Sequence, residues 1–260
     1  MPDRQRQTID LSLPDGGRLH GVLSCTGQTG PAAVLYVHGF GSDHAGDKAL
    51  ALEAACARRG WTMAAFDFRG HGRSSGSLLE RRASGLLADL EAVRAFLATQ
   101  GASRLFLVGS SMGGFAAAWF ALAHPGTVPA CVLIAPAFSF VQARWAALDE
   151  AGRAAWKRTG RLRVCNQWLD VELGYGLVEE AGRFDPARLA ASWDRPALIF
   201  HGLDDDTVPI EGSREFLRRT ACPDVELRVL EAGDHRLHAW KEEMAEAGCR
   251  FCARYWPAAR

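Results

Sequence analysis

Leu105-Phe106-Leu107-Val108-Gly109-Ser110-Ser111-Met112-Gly113-Gly114-Phe115 passes from an unbroken apolar stretch, through a G-x-S-x-G, into a run of small residues. The apolar part reads as a buried strand, and residues 113–123 read as a helix. A strand that turns straight into a helix around a serine needs glycines beside it. The turn strains the serine's backbone, and a Cβ at the flanking positions would meet neighbouring chain. This places Ser111 at a strand end with the amino end of a helix behind it. The partial positive charge there, together with the Met112 amide, suits an oxyanion formed when a serine attacks a carbonyl.

Working outward, short aliphatic runs alternate with longer amphipathic ones. The runs AVLYV (33–37), TMAAF (62–66), LFLVG (105–109), ACVLI (130–134), ALIF (197–200) and VELRVL (225–230) read as strands. Most are too uniformly apolar to be half exposed and belong in the middle of a parallel sheet. Helical patterns at 49–59, 84–99, 113–123, 212–219 and 240–254 separate them, as right-handed crossovers require. Residues 8–13 and 18–24 flank Pro14-Asp15-Gly16-Gly17, a turn sequence, and read as an edge hairpin. The expected fold class is α/β: a mostly parallel eight-stranded sheet with helices on both faces. Residues 138–194 break the rhythm. With no convincing strand, charges at helical spacing and the tryptophans Trp145, Trp156, Trp168 and Trp193, they read as a helical cap inserted into a single domain spanning 1–260.

A serine hydroxyl is a weak nucleophile and needs a base, which in turn needs a carboxylate to orient it. His201-Gly202-Leu203-Asp204-Asp205-Asp206-Thr207-Val208-Pro209 follows a late strand, and Gly233-Asp234-His235-Arg236-Leu237 follows the last. The order Ser, Asp, His makes His235 the expected base and one of the three aspartates the acid. A second oxyanion donor is expected from the loop after the 33–37 strand, where His38-Gly39-Phe40-Gly41-Ser42 stands; the Phe40 amide is the candidate.

Other chemistries find less support. Thirty basic residues balance thirty acidic ones without a basic cluster, which speaks against nucleic acid as a partner. No apolar run is long enough to span a bilayer, and the opening MPDRQRQTID is polar, so the expected location is cytoplasmic. Seven cysteines, an odd number in apolar surroundings, suggest reduced thiols. The Cys249-x-x-Cys252 pair lacks a second pair and reads as two small residues on one helix face. His235 and His238 have no third ligand, so neither a metal nor a cofactor is expected. Asp67-Phe68-Arg69-Gly70-His71-Gly72-Arg73-Ser74 lacks the spacing of a phosphate loop and reads as a structural turn.

With these motifs assembled, the chain resembles the α/β-hydrolase superfamily over nearly its whole length. In that superfamily the pattern H-G-x-x-D-x-x-V-P carries the catalytic acid at its fifth position, which implies Asp205. The segments HGFGSDHAGDKALALE, GSSMGGF, HGLDDDTVP and GDHRL are further similar to the family of the mitochondrial palmitoyl-protein thioesterase, also described as an acyl-glucuronide esterase, and its bacterial relatives. The resemblance implies hydrolysis of acyl esters or thioesters through an acyl-enzyme. The expected substrate is a small acyl compound, and an acylated protein also fits. A prolyl-aminopeptidase-like peptidase, a lipase and a carbon–carbon bond hydrolase share the same serine. A ligand-binding protein on this scaffold is the alternative from another class. Oligomeric state is not written in the sequence.

Overall fold

The computed structural model describes residues 5–25, 29–165 and 170–257. The chain opens with an antiparallel hairpin, β1 (Gln5–Ser12) and β2 (Arg18–Cys25). There follow β3 (Ala32–Val37), α1 (Asp47–Ala57), β4 (Thr62–Phe66), α2 (Ala83–Thr99), β5 (Arg104–Ser110), α3 (Met112–Ala123) and β6 (Cys131–Ile134). An insertion then carries α4 (Phe140–Ala146), α5 (Glu150–Thr159), β7 (Arg161–Cys165), β8 (Asp170–Gly174), α6 (Gly176–Glu179) and α7 (Pro186–Ala191). The chain returns with β9 (Ala197–Gly202), α8 (Glu211–Arg219), β10 (Val225–Leu230) and α9 (Lys241–Ala253).

Eight strands form one sheet in the order β1-β2-β4-β3-β5-β6-β9-β10. From β4 to β10 every pairing is parallel, and the first hairpin supplies the antiparallel edge. The sequence expectation of fold class is met. Successive residues of a strand point to opposite faces. Thus Leu35, Val37, Leu105 and Leu107 pack with α2 and α3, while Val34, Tyr36, Phe106 and Val108 pack with α1 and α9. Central strands covered on both faces have no polar side, which is why their sequences do not alternate. The edge strand β10 carries polar residues, Glu226 and Arg228, among its apolar ones. The strand order reverses about β3, so α1 and α2 leave on opposite faces and open a crevice at the strands' carboxyl ends.

The insertion departs from the expectation of helices alone: β7 and β8 pair as an antiparallel hairpin. Arg163 reaches diagonally across it to Asp170 at 2.6 Å, and Arg161 likewise to Glu172 at 3.3 Å. Of the charges that suggest helical spacing, Glu150, Arg153, Lys157 and Arg158 do lie on α5, whereas Arg161, Arg163, Asp170 and Glu172 form cross-strand pairs. Trp145, Trp156 and Tyr175 pack together, with ring centroids 6.0–6.4 Å apart, as a small core. Trp193 packs instead on Phe216 of α8, and Trp168 lies outside the described residues. Phe184 rests on Phe115 and Trp119 of α3, and Ser84 at the start of α2 donates to Glu180. The insertion thereby sits over the helices flanking Ser111. Among the described residues no helix is long and apolar enough to cross a membrane.

Candidate active site

Ser111 joins β5 to α3 with φ 54° and ψ −117°, a backbone conformation that L-residues rarely adopt. Holding such a residue costs on the order of 1–3 kcal/mol, so the surroundings must over-determine it. They do: the Ser111 amide donates to the Ile134 carbonyl at 2.9 Å, and the Ser111 carbonyl accepts from Ala137 and Phe115 at 3.1 Å each. The glycines are sterically required. A Cβ on Gly109 would lie 2.4 Å from the Gly113 carbonyl oxygen, and one on Gly113 would lie 2.1 Å from that of Val37. The α3 helix is thus seated directly on the end of β3.

That contact also brings the loop after β3 to the serine. Gly39 lies so close that a Cβ there would be 3.2 Å from Ser111 Cβ, and Phe40 is the next residue. The Met112 amide opens α3 and has no carbonyl four residues back within the helix to accept it. Phe40's ring lies 6.2 Å from that of Phe140 on α4, so the insertion supplies an apolar wall beside this loop.

The two remaining groups come from the ends of β9 and β10. His235 Nδ1 lies 2.8 Å from Asp205 Oδ2, and Nε2 lies 3.0 Å from Ser111 Oγ. A carboxylate only accepts, so Nδ1 carries the proton and Nε2 of the neutral ring accepts from the Ser111 hydroxyl. Backbone-to-backbone packing sets this geometry: a Cβ on Gly202 would lie 2.1 Å from the Gly233 carbonyl oxygen. The Asp204 amide donates to that same oxygen at 3.0 Å.

Of the three consecutive aspartates only Asp205 turns inward; Asp204 and Asp206 are exposed. Asp205's side chain is fully buried while His235, which lies between it and Ser111, keeps 21% of its side chain exposed. Burial acts to raise the Asp205 pKa. It is outweighed by hydrogen bonds from His201, His235 and the Val208 amide, which hold the carboxyl well below the usual range.

The other candidates separate from this cluster. His238 pairs with Asp47 at 3.2 Å on the surface. The Asp67 carboxylate accepts from the Arg73 amide at 2.8 Å, closing its own loop as a structural turn, and from the His44 amide at 2.7 Å, tying that turn to the loop after β3. Cys249 and Cys252 are buried on α9, with Cys249 Sγ 3.9 Å from Cys56 Sγ on α1. Sequence reasoning assigned no role to His201, which the structure sets against Asp205 Oδ2 at 3.3 Å; the H-G preceding the aspartates was the available signal.

A family model described as serine aminopeptidase, S33, matches residues 29–171, more than half of the chain. The chain belongs to this family of hydrolases. Mouse palmitoyl-protein thioesterase ABHD10, mitochondrial, is 27% identical over 207 residues, covering 78% of this chain and 69% of the relative. Monoacylglycerol lipase of Mycolicibacterium smegmatis is 28% identical over 229 residues, covering 78% and 81%. The crystal structure of a hydrolase from Agrobacterium vitis S4 superposes with a TM-score of 0.83 at 23% identity, covering 96% of this chain and 99% of that one. The α/β-hydrolase fold of this S33-family chain is therefore shared almost end to end.

Proposed function

We propose that this chain hydrolyses acyl esters or thioesters through an acyl-enzyme on Ser111. The observation that carries the proposal is the hydrogen-bonded chain Ser111–His235–Asp205, with bonds of 3.0 and 2.8 Å. His235 Nε2 takes the Ser111 proton as Oγ adds to the acyl carbonyl. The amides of Phe40 and Met112 then hold the oxyanion in a water-poor crevice, where such donors are worth most. The protonated His235 returns its proton to the departing alkoxide or thiolate. It next deprotonates a water that attacks the acyl-enzyme, and the carboxylic acid leaves as Ser111 regains its proton. Asp205 fixes the His235 tautomer and stabilises the imidazolium between these steps.

The relatives named thioesterase and lipase support acyl transfer to water as the reaction class. The apolar pair Phe40 and Phe140, backed by the buried Phe115, suits an acyl chain. The location stays a proposal as well: seven free cysteines favour a reducing compartment such as the cytoplasm, while the ABHD10 relative is described as mitochondrial. Cell fractionation distinguishes the two.

The test is a fluorophosphonate probe, which reports an activated serine without a choice of substrate. Wild-type protein is expected to carry the adduct on Ser111, and Ser111→Ala to carry none while melting at the wild-type temperature. Esters, thioesters and aminoacyl amides are then compared at graded acyl length. A folded wild-type protein that resists the probe sinks the proposal, and turnover of the amides alone moves it to peptide bonds.

A further inference from the structure

His201 is the penultimate residue of β9 and is wholly buried. Its Nδ1 lies 2.8 Å from Ser213 Oγ on α8. Its Nε2 lies 2.8 Å from the Val208 carbonyl oxygen and 3.3 Å from Asp205 Oδ2. Both groups at Nε2 only accept, so Nε2 bears the proton and shares it between them. The Ser213 hydroxyl then donates to Nδ1 of a neutral ring. Oδ2 of Asp205 is therefore addressed by two imidazole N–H groups, from His201 and His235. Its Oδ1 accepts the Thr207 and Val208 amides at 3.0 and 2.8 Å.

We propose that His201 is a positioning residue for the Ser111 chemistry: one buried N–H holds the Asp205 carboxylate and the Val208 end of its loop in register, and moderates the pull of that carboxylate on His235. This inference rests on the serine-hydrolase reading above. Each donor to a carboxylate lowers its basicity, so four donors leave Asp205 charged but less avid for the His235 proton. Deleting one leaves a more basic carboxylate. That favours the imidazolium form of His235, which cannot take the serine proton. Among the described residues, the titratable groups hydrogen-bonded to Asp205 are His201 from β9 and His235 from the loop after β10; α8 contributes the neutral Ser213 to His201, and the adjacent Asp204 and Asp206 are exposed.

The experiment measures the second-order rate of fluorophosphonate labelling against pH for the full chain, His201→Leu and His201→Gln. His201→Leu is expected to label about tenfold more slowly near neutrality, with its acid limb moved up by roughly half to one pH unit. His201→Gln keeps a side-chain N–H and is expected to recover part of both. A residue needed only for packing would lower the rate at every pH and leave the limb in place. A folded His201→Leu with the wild-type limb, or a His201→Gln as shifted as the leucine, overturns the inference. Should His201→Leu not fold, Ser213→Ala frees the ring to turn and must move the limb the same way; an unmoved limb there is equally fatal. No labelling of the wild-type chain removes the serine-hydrolase reading and this inference with it, whereas a labelled wild type with unmoved variants removes this one alone.

Discussion

Replacing Gly113 by alanine tests whether α3 is seated on the end of β3. The added Cβ would stand 2.1 Å from the Val37 carbonyl oxygen and 2.5 Å from that of His38. Carbon and oxygen atoms in contact keep more than 3 Å apart, so helix and strand must separate by about 1 Å. Both oxygens are backbone atoms of the segment that leads to Phe40, so no flexible side chain can absorb the overlap. Overpacking of this kind costs about 1–3 kcal/mol, which lowers Tm by roughly 2–12 °C in a protein of this size. The same displacement pulls Ser111 and the Met112 amide away from the Phe40 amide, and a 1 Å error of this sort lowers reactivity on the order of 100-fold. Thermal melting by circular dichroism and the rate of fluorophosphonate labelling measure the two effects separately. Gly212→Ala on α8, where a Cβ meets nothing within 4 Å, serves as the control and should hold or gain stability. A Gly113→Ala protein with both the wild-type Tm and the wild-type labelling rate would refute the packing argument.

Asp205→Asn is expected to stay folded, since its amide oxygen can still accept the Thr207 and Val208 amides, yet to lose about 10³–10⁴-fold in ester turnover. Asp204→Asn and Asp206→Asn should stay within about twofold of wild type, because exposed surface substitutions disturb little; equal losses at all three positions would contradict the geometry. His71, whose ring packs 5.1 Å from His38 and 5.6 Å from Phe40, is pushed by burial from 6.5 down to about 3. The unfolded chain takes up that proton first, so the stability His71 contributes is whole above pH 6.5 and drains away as pH falls toward 3. His71→Phe should therefore flatten the plot of Tm against pH between about 6.5 and 4; a slope equal to wild type would assign the loss to other groups.

The fold and the spatial grouping at Ser111 were legible because each rests on local chemistry. A glycine-flanked serine between an aliphatic run and a small-residue helix has few other solutions, and strands buried on both faces announce themselves by lacking polar positions. The choice among Asp204, Asp205 and Asp206 was not legible from spacing. It depends on which of three neighbours turns toward His235, and that is set by the Gly202–Gly233 contact, a tertiary feature. The β7–β8 hairpin escaped for another reason. Its Arg161, Arg163, Asp170 and Glu172 are paired across strands at the surface, outside the main core, so hydrophobic periodicity carried little signal there. Gly160, at φ 71°, ends α5 just before β7 and was the one local cue that the helix stops. His201 was missed because the H-G before the aspartates marks its position but not its partners, Ser213, Val208 and Asp205, which only the fold brings to it.

The close approach of Gly202 to Gly233 has a mechanical consequence. It couples the ends of β9 and β10, so that the carboxylate and the imidazole travel as one piece, while the serine belongs to a second piece made of β5, α3 and the tip of β3. The two pieces are joined through β6, which bonds Ser111 at Ile134 and pairs with β9, and they meet chemically across the 3.0 Å between Ser111 Oγ and His235 Nε2. A substitution that shifts β9 and β10 against β5 would therefore act on proton transfer by changing that one distance.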